Sequence, residues 1–170
     1  RPPAPAGMVG DPIGAHSRVP VLAPSLPLPV QSGSATGLKS MNRRHRVADY
    51  LDVVARVRAA RPDIAFSSDF IVGYPGETDA DFDQTLALIR AVGFASSYAF
   101  KYSPRPGTPA AEMPDQVEEA IQARRPAALQ DPIEYQRLAF NLASVRQCPE
   151  VSFEKPGRRP AMDARGRSGG

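Results

Sequence analysis

The chain has 170 residues, 42% hydrophobic and 23% charged, with a formal net charge of +3 and a pI near 9.3. That is enough apolar material for one sizeable core, yet nineteen prolines and thirteen glycines are many for a compact domain and mark part of the chain as unpacked. A single cysteine, Cys148, excludes an intrachain disulfide framework and any multi-cysteine metal or cluster site built from these residues, and it fits a reducing compartment. No run approaches the length of a transmembrane helix, and the opening RPPAPAG lacks the charged and apolar regions of a signal peptide. The expectation is a cytoplasmic protein with no membrane partner. The basic balance is compatible with an acidic partner such as RNA, although many of the arginines gather near the C-terminus, as in a solvated tail.

Residues 1–27 are rich in proline and show neither helical nor strand periodicity, which predicts an irregular, disordered segment. Pro27 to Gln31 reads as a short strand whose prolines confine its hydrogen bonding. Beyond the SGS turn, Leu38 and Met41 make a brief apolar face, and Val47, Tyr50, Leu51, Val54 and Val57 follow helical spacing up to Pro62. Ile64 to Val72 is β-rich enough for a buried strand, ended by Gly73, Pro75 and Gly76. Thr78 stands three residues before Asp81, a capping-box spacing, and Phe82, Leu86 and Ile89 form the buried stripe of a helix that Gly93 terminates. Tyr98 to Tyr102 is the next strand, Arg105 to Pro109 a turn, and Asp115 to Arg125 a polar helix. Pro126 and Pro132 predict a break or kink before a second helical stretch around Tyr135 to Val145. Val151 to Glu154 opens a β-module that the glycine- and arginine-rich end does not complete.

Strand and helix alternate, which implies parallel strands joined by right-handed crossovers, as in an α/β barrel or a doubly wound sheet. Three strands are few for either, so the expected architecture is part of a larger barrel. Ligands of such folds bind at the carboxyl ends of the strands. Gln31 to Ser34, Asp69 to Glu77 and Phe100 to Thr108 all fall at such ends. Gly73 and Gly76 permit close backbone approach, and Asp69 can accept hydrogen bonds from a hydroxylated ligand such as a ribose. GYPGET also suits a plain strand-to-helix connection. His16 and His45 read as ordinary solvated histidines, and Cys148 as inert.

Taken in order, PVQSGS (Pro29 to Ser34), MNRRH (Met41 to His45), SSDFIVGYPGET (Ser67 to Thr78), FKYSPRPGTPAAEMP (Phe100 to Pro114) and FEKPGR (Phe153 to Arg158) resemble the tRNA methylthiotransferases of the radical S-adenosylmethionine superfamily. The best match is the MiaB type, which methylthiolates isopentenyl-modified adenosine beside the anticodon. The resemblance runs from about Leu28 to Arg158. It implies an α/β fold: the C-terminal half of a partial TIM-type radical SAM barrel of about three βα units over 28–114, linker helices over 115–148, and a truncated TRAM-like β-segment over 149–170. It implies S-adenosylmethionine across the strand ends, with Ser32 and Ser34 among the cofactor-binding residues, Gln31 and Arg43 toward its methionine portion, Asp69 at the ribose, and Ile71 with the backbone around Phe100 and Ser103 along the adenine. Lys101 and Arg105 would approach tRNA.

The family also uses [4Fe-4S] clusters, the first held by a CxxxCxxC triad, and a chain with one cysteine lacks those ligands. No residue here is therefore assigned a catalytic or metal-binding role. The expectation is a family fragment inactive by itself, with a missing N-terminal half as a possible separate partner. Three readings stand beside it: a methylthiotransferase for threonylcarbamoyl-modified tRNA, one for a ribosomal protein, and a non-enzymatic relic that binds RNA or a partner.

Overall fold

The computed structural model describes residues 25–145, together with the backbone of two later strands at 151–156 and 164–168. Expectations for residues 1–24, including His16, and for Cys148 lie outside the described residues. The order is β1 (Ser25–Pro27), α1 (Ala35–Ser40), α2 (Val47–Ala60), β2 (Ala65–Val72), α3 (Asp79–Val92), β3 (Ser96–Lys101), α4 (Pro109–Glu112), α5 (Glu119–Ser144), β4 (Val151–Pro156) and β5 (Ala164–Ser168). Strands β1, β2 and β3 form a parallel sheet in that order.

The first strand begins at Ser25, inside the stretch whose prolines suggested irregular structure. Its ladder tolerates proline because β1 is an edge: Leu28 N donates to Ser67 O at 2.8 Å, so the amide that Pro27 lacks would face away from β2. Pairing then slips. Pro27 stands opposite Ser67 and Gln31 opposite Phe70, leaving Leu28, Pro29 and Val30 against only Ser68 and Asp69, a β-bulge. The Ser68 hydroxyl fills the gap, donating to Leu28 O and accepting from Val30 N, each at 3.1 Å. Gln31 leaves the bulge at φ +80°, in the left-handed region that a non-glycine side chain seldom adopts.

One face of the sheet is packed. Leu26, Leu28, Val30, Phe66, Phe70 and Val72 meet Tyr50, Val53, Val54 and Val57 of α2, Phe82, Leu88, Ile89 and Val92 of α3, and Leu129 and Ile133 of α5. Side chains alternate along a strand, so Ser67, Asp69 and Ile71 of β2 and Tyr98 and Phe100 of β3 share the other face. That face is open: Tyr98 is 61% and Phe100 53% exposed.

Residues Glu119 to Ser144 form one helix through both Pro126 and Pro132, where the sequence predicted a break or kink; the helix does not break. Each proline deletes a single intrahelical donor. Tertiary contacts span the gaps: Gln122, Arg125, Leu129 and Ile133 are buried on one face, and Gln136 accepts from Phe94 N at 3.0 Å and donates to Ile89 O at 2.6 Å. In the C-terminal segment β4 pairs with β5 in an antiparallel two-stranded sheet, with a register break between Phe153 and Lys155.

Two substitutions test this packing. A Cβ at Gly33 would stand 2.5 Å from Thr85 Cα and 2.6 Å from Gln84 O, both backbone atoms, so Gly33→Ala should destabilise the fold by about 1–3 kcal/mol in urea unfolding. An unchanged midpoint would show that the loop can retreat from α3. Pro132→Ala should restore a helical donor and raise stability by up to about 3 kcal/mol, and a loss would show that the ring's own packing outweighs it.

Candidate functional site

Three segments meet at the carboxyl end of the sheet: the SGS loop after β1, the GYPGET turn after β2 and the stretch after β3. Ser34 caps α1, its Oγ accepting from Gly37 N at 3.1 Å, and Ser32 Oγ accepts from Ser34 N at 3.1 Å. Gly33 N donates to Thr85 Oγ1 at 3.0 Å, which brings the loop onto α3. Ser34 Oγ also donates to Asp81 Oδ1, in the first turn of that helix. Thr78 completes the predicted capping box: its hydroxyl accepts from Asp81 N at 3.2 Å, and Asp81 Oδ2 accepts from Thr78 N at 3.0 Å. Burial pushes the Asp81 carboxyl up, but the hydrogen bonds from Ser34 and Thr78 outweigh it and hold the group below its usual value.

The turn is clamped from behind. Gly73, at φ +71°, donates its N–H to Glu77 Oε2 at 2.6 Å, while its carbonyl accepts from Gln122 Nε2 of α5 at 3.3 Å. Arg125 of the same helix donates from Nη1 to Glu77 Oε2 at 2.6 Å and from Nη2 to Asp79 Oδ1 at 2.8 Å. Both members of the Glu77–Arg125 pair are buried. Burial pushes the Glu77 carboxyl up, and the Gly73 amide and the Arg125 guanidinium oppose it. The guanidinium also lies 5.5 Å from the centre of the Phe82 ring.

The residues expected to meet a ligand divide into two groups. Gln31, Asp69 and Ile71 are partly exposed and Phe100 is open, with Asp69 paired in register to Tyr98 and Ile71 to Phe100. Arg43 is exposed and reaches the same rim, its Nη2 donating to Gln31 Oε1 at 3.2 Å. Ser32 and Ser34, by contrast, are buried, and their hydroxyls are held by the chain's own atoms. They shape the rim rather than stand open on it. Ser103 is exposed beyond β3. Lys101 pairs with Glu119 at 2.5 Å, and Arg105 lies exposed in the following turn.

His45 departs from expectation: it is 7% exposed, with Nε2 3.3 Å from Val30 O, and desolvation lowers its pKa, so it is not a solvated histidine. The sequence assigns no site role to Tyr98, Gln122 or Arg125, and marks Glu77 only as the end of a strand-end segment. Tyr98 is recognisable only from the pairing of β2 with β3, whereas the partnership of Glu77 with Arg125 spans 48 positions and leaves no local pattern.

Because its folded pKa is depressed, Asp81 contributes stability that is present above its usual value of 3.8 and lost as pH falls through the lower folded value. Asp81→Asn should therefore be less stable than the parent at pH 7, with the gap closing below about pH 4 in thermal unfolding. A gap independent of pH would mean that the carboxylate's charge is not what the two hydroxyls recognise.

Among the described residues no helix is long and apolar enough to cross a membrane. The donor sets at the rim can be compared with the two groups that the resemblance implies. An acceptor carboxylate at Asp69, a fixed cation at Arg43 and an apolar, aromatic strip at Ile71 and Phe100 fit the hydroxyl, carboxylate and flat ring of S-adenosylmethionine. A [4Fe-4S] cluster does not fit these residues: it needs thiolates, the sequence has one cysteine, and the described residues hold no group of three side chains able to bind a metal. Residues 22–89, from the approach to β1 through most of α3 and including Gln31, Arg43, Asp69 and Ile71, match the model of the Radical SAM superfamily, with which the three-stranded parallel sheet is consistent as a partial fold.

Proposed function

We propose that this chain forms the S-adenosylmethionine-facing strand ends of a radical S-adenosylmethionine methylthiotransferase, acting on isopentenyl-modified adenosine of tRNA. The observation that carries the ligand is the shared rim: Arg43 hydrogen-bonded to Gln31, and Asp69 and Ile71 in register with Tyr98 and Phe100. In this reading Arg43 receives the methionine carboxylate, Asp69 the ribose hydroxyls, and Ile71 with Phe100 the adenine. The match over residues 22–89 supports S-adenosylmethionine as the ligand. The methylthiotransferase assignment rests on the order of the PVQSGS, SSDFIVGYPGET, FKYSPRPGTPAAEMP and FEKPGR motifs, and FKYSPRPGTPAA with FEKPGR favours the isopentenyladenosine substrate.

A [4Fe-4S] cluster, held elsewhere, would be the source of the reducing electron for radical S-adenosylmethionine chemistry. Its thiolates are not among these residues, so the proposed contribution of this chain is confined to binding and orienting the cofactor. Strands carrying those ligands, from a separate partner or elsewhere, would complete the site. Lys101 and Arg105, beside the rim, are proposed to approach the tRNA backbone, with Lys101 exchanging Glu119 for phosphate.

Isothermal titration with S-adenosylmethionine tests the reading. Saturable binding is expected, weakened roughly tenfold by Asp69→Ala, the loss of about one charge-assisted hydrogen bond. No binding, or binding indifferent to that substitution, would refute it. RNA binding that ignores Asp69→Ala, in a chain that does not take up S-adenosylmethionine, would instead mark a non-enzymatic accessory.

A further inference from the structure

We infer that Arg125 is a positioning residue for the strand-end rim: through Glu77 it fixes the Gly73 turn, and so makes the rim's shape depend on the seating of helix α5. The inference rests on reading that rim as the S-adenosylmethionine site. Gly73 directly follows β2, the strand that carries Asp69 and Ile71. Neither polar group of its peptide is left to solvent. The N–H goes to Glu77 Oε2 at 2.6 Å and the carbonyl to Gln122 Nε2 at 3.3 Å. Glu77 Oε2 is also the atom that receives Arg125 Nη1, and the same nitrogen donates to Glu77 O at 3.2 Å. One guanidinium thus holds both the side chain and the main chain of the residue that latches the turn.

Contact between α5 and the turn is close as well as polar. A Cβ on Gly73 would stand 2.7 Å from Gln122 Cγ and 3.3 Å from Gln122 Cα, so turn and helix touch at backbone distance. Gly76 N adds a bond to Asp115 O at 2.7 Å, just ahead of α5. Movement of this helix cannot leave the turn in place. Lysine could keep the charge beside Glu77 but has no planar fork with which to hold Glu77 and Asp79 together. Removing Arg125 alone would leave a buried carboxylate without its partner, which threatens folding for reasons unrelated to the rim.

The test uses the full 170-residue chain with Arg125→Lys, Arg125→Gln, Glu77→Gln and the double variant Glu77→Gln/Arg125→Gln. Three quantities are measured in each: unfolding midpoint, amide exchange over Gly73 to Glu77, and affinity for S-adenosylmethionine. Arg125→Lys should fold, exchange faster across the turn, and bind roughly tenfold more weakly. The double variant should regain stability relative to Arg125→Gln, because no unpaired buried charge remains, while the turn's fast exchange and weak binding persist. Recovery of exchange and affinity together with stability would reduce Arg125 to a structural role and overturn the inference, as would an Arg125→Lys variant with parental exchange. If the parent chain does not bind S-adenosylmethionine, the proposed function fails, and the exchange measurements still decide whether Arg125 holds the turn.

Discussion

The carboxylate of Asp81 is where the two best-defined parts of the strand-end rim meet. One oxygen takes the Ser34 hydroxyl from the loop after β1, and the other takes the amide of Thr78 from the turn after β2. Both loops are thereby referred to the first turn of a single helix. Gly33 adds a steric reason for the same arrangement, since only the absence of a Cβ lets the loop lie against the backbone of Gln84 and Thr85. Gln31 and Asp69 are placed more directly, by Gln31 N donating to Asp69 O at 3.0 Å and Ile71 N donating to Gln31 O at 2.9 Å.

Behind it stands the buried pair of Glu77 and Arg125, which serves a different purpose. Such pairs seldom add much net stability, because desolvation offsets attraction, but they fix geometry when their remaining hydrogen-bonding positions are filled. Here Gly73 N, Glu77 O and Asp79 fill three of them. The guanidinium Nε alone has no partner. The pair also explains how α5 persists through two prolines: its N-terminal half is held to the turn and its middle to the core, so the missing donors cost less than leaving those contacts unmade.

The open face of the sheet follows from the same architecture. All the packed helices lie on one side, so alternation along β2 and β3 leaves Asp69, Ile71, Tyr98 and Phe100 together on the other. Tyr98 and Phe100 stack at 6.5 Å between ring centres, a large apolar surface to leave uncovered. A bound heterocycle at the rim and further strands along the edges would both reduce that exposure.

Elements with short-range signals were legible in the sequence. Thr78 with Asp81, the apolar spacing of Tyr50, Val54 and Val57, and the αL glycine at Gly93 each act within a few residues, so periodicity and capping rules locate α2 and α3 closely. The ordered motifs pointed to the strand ends and to S-adenosylmethionine, and the cysteine count alone decided that these residues do not hold a cluster. Tertiary structure decided the rest, because the forces involved join residues far apart in the chain. It turned Ser32 and Ser34 inward, buried His45 against Val30, carried α5 past Pro126 and Pro132, and chose Arg125 as the partner of Glu77. A hydroxyl or a guanidinium looks alike in sequence whether it meets solvent, a ligand or a buried carboxylate; only packing determines which one it meets.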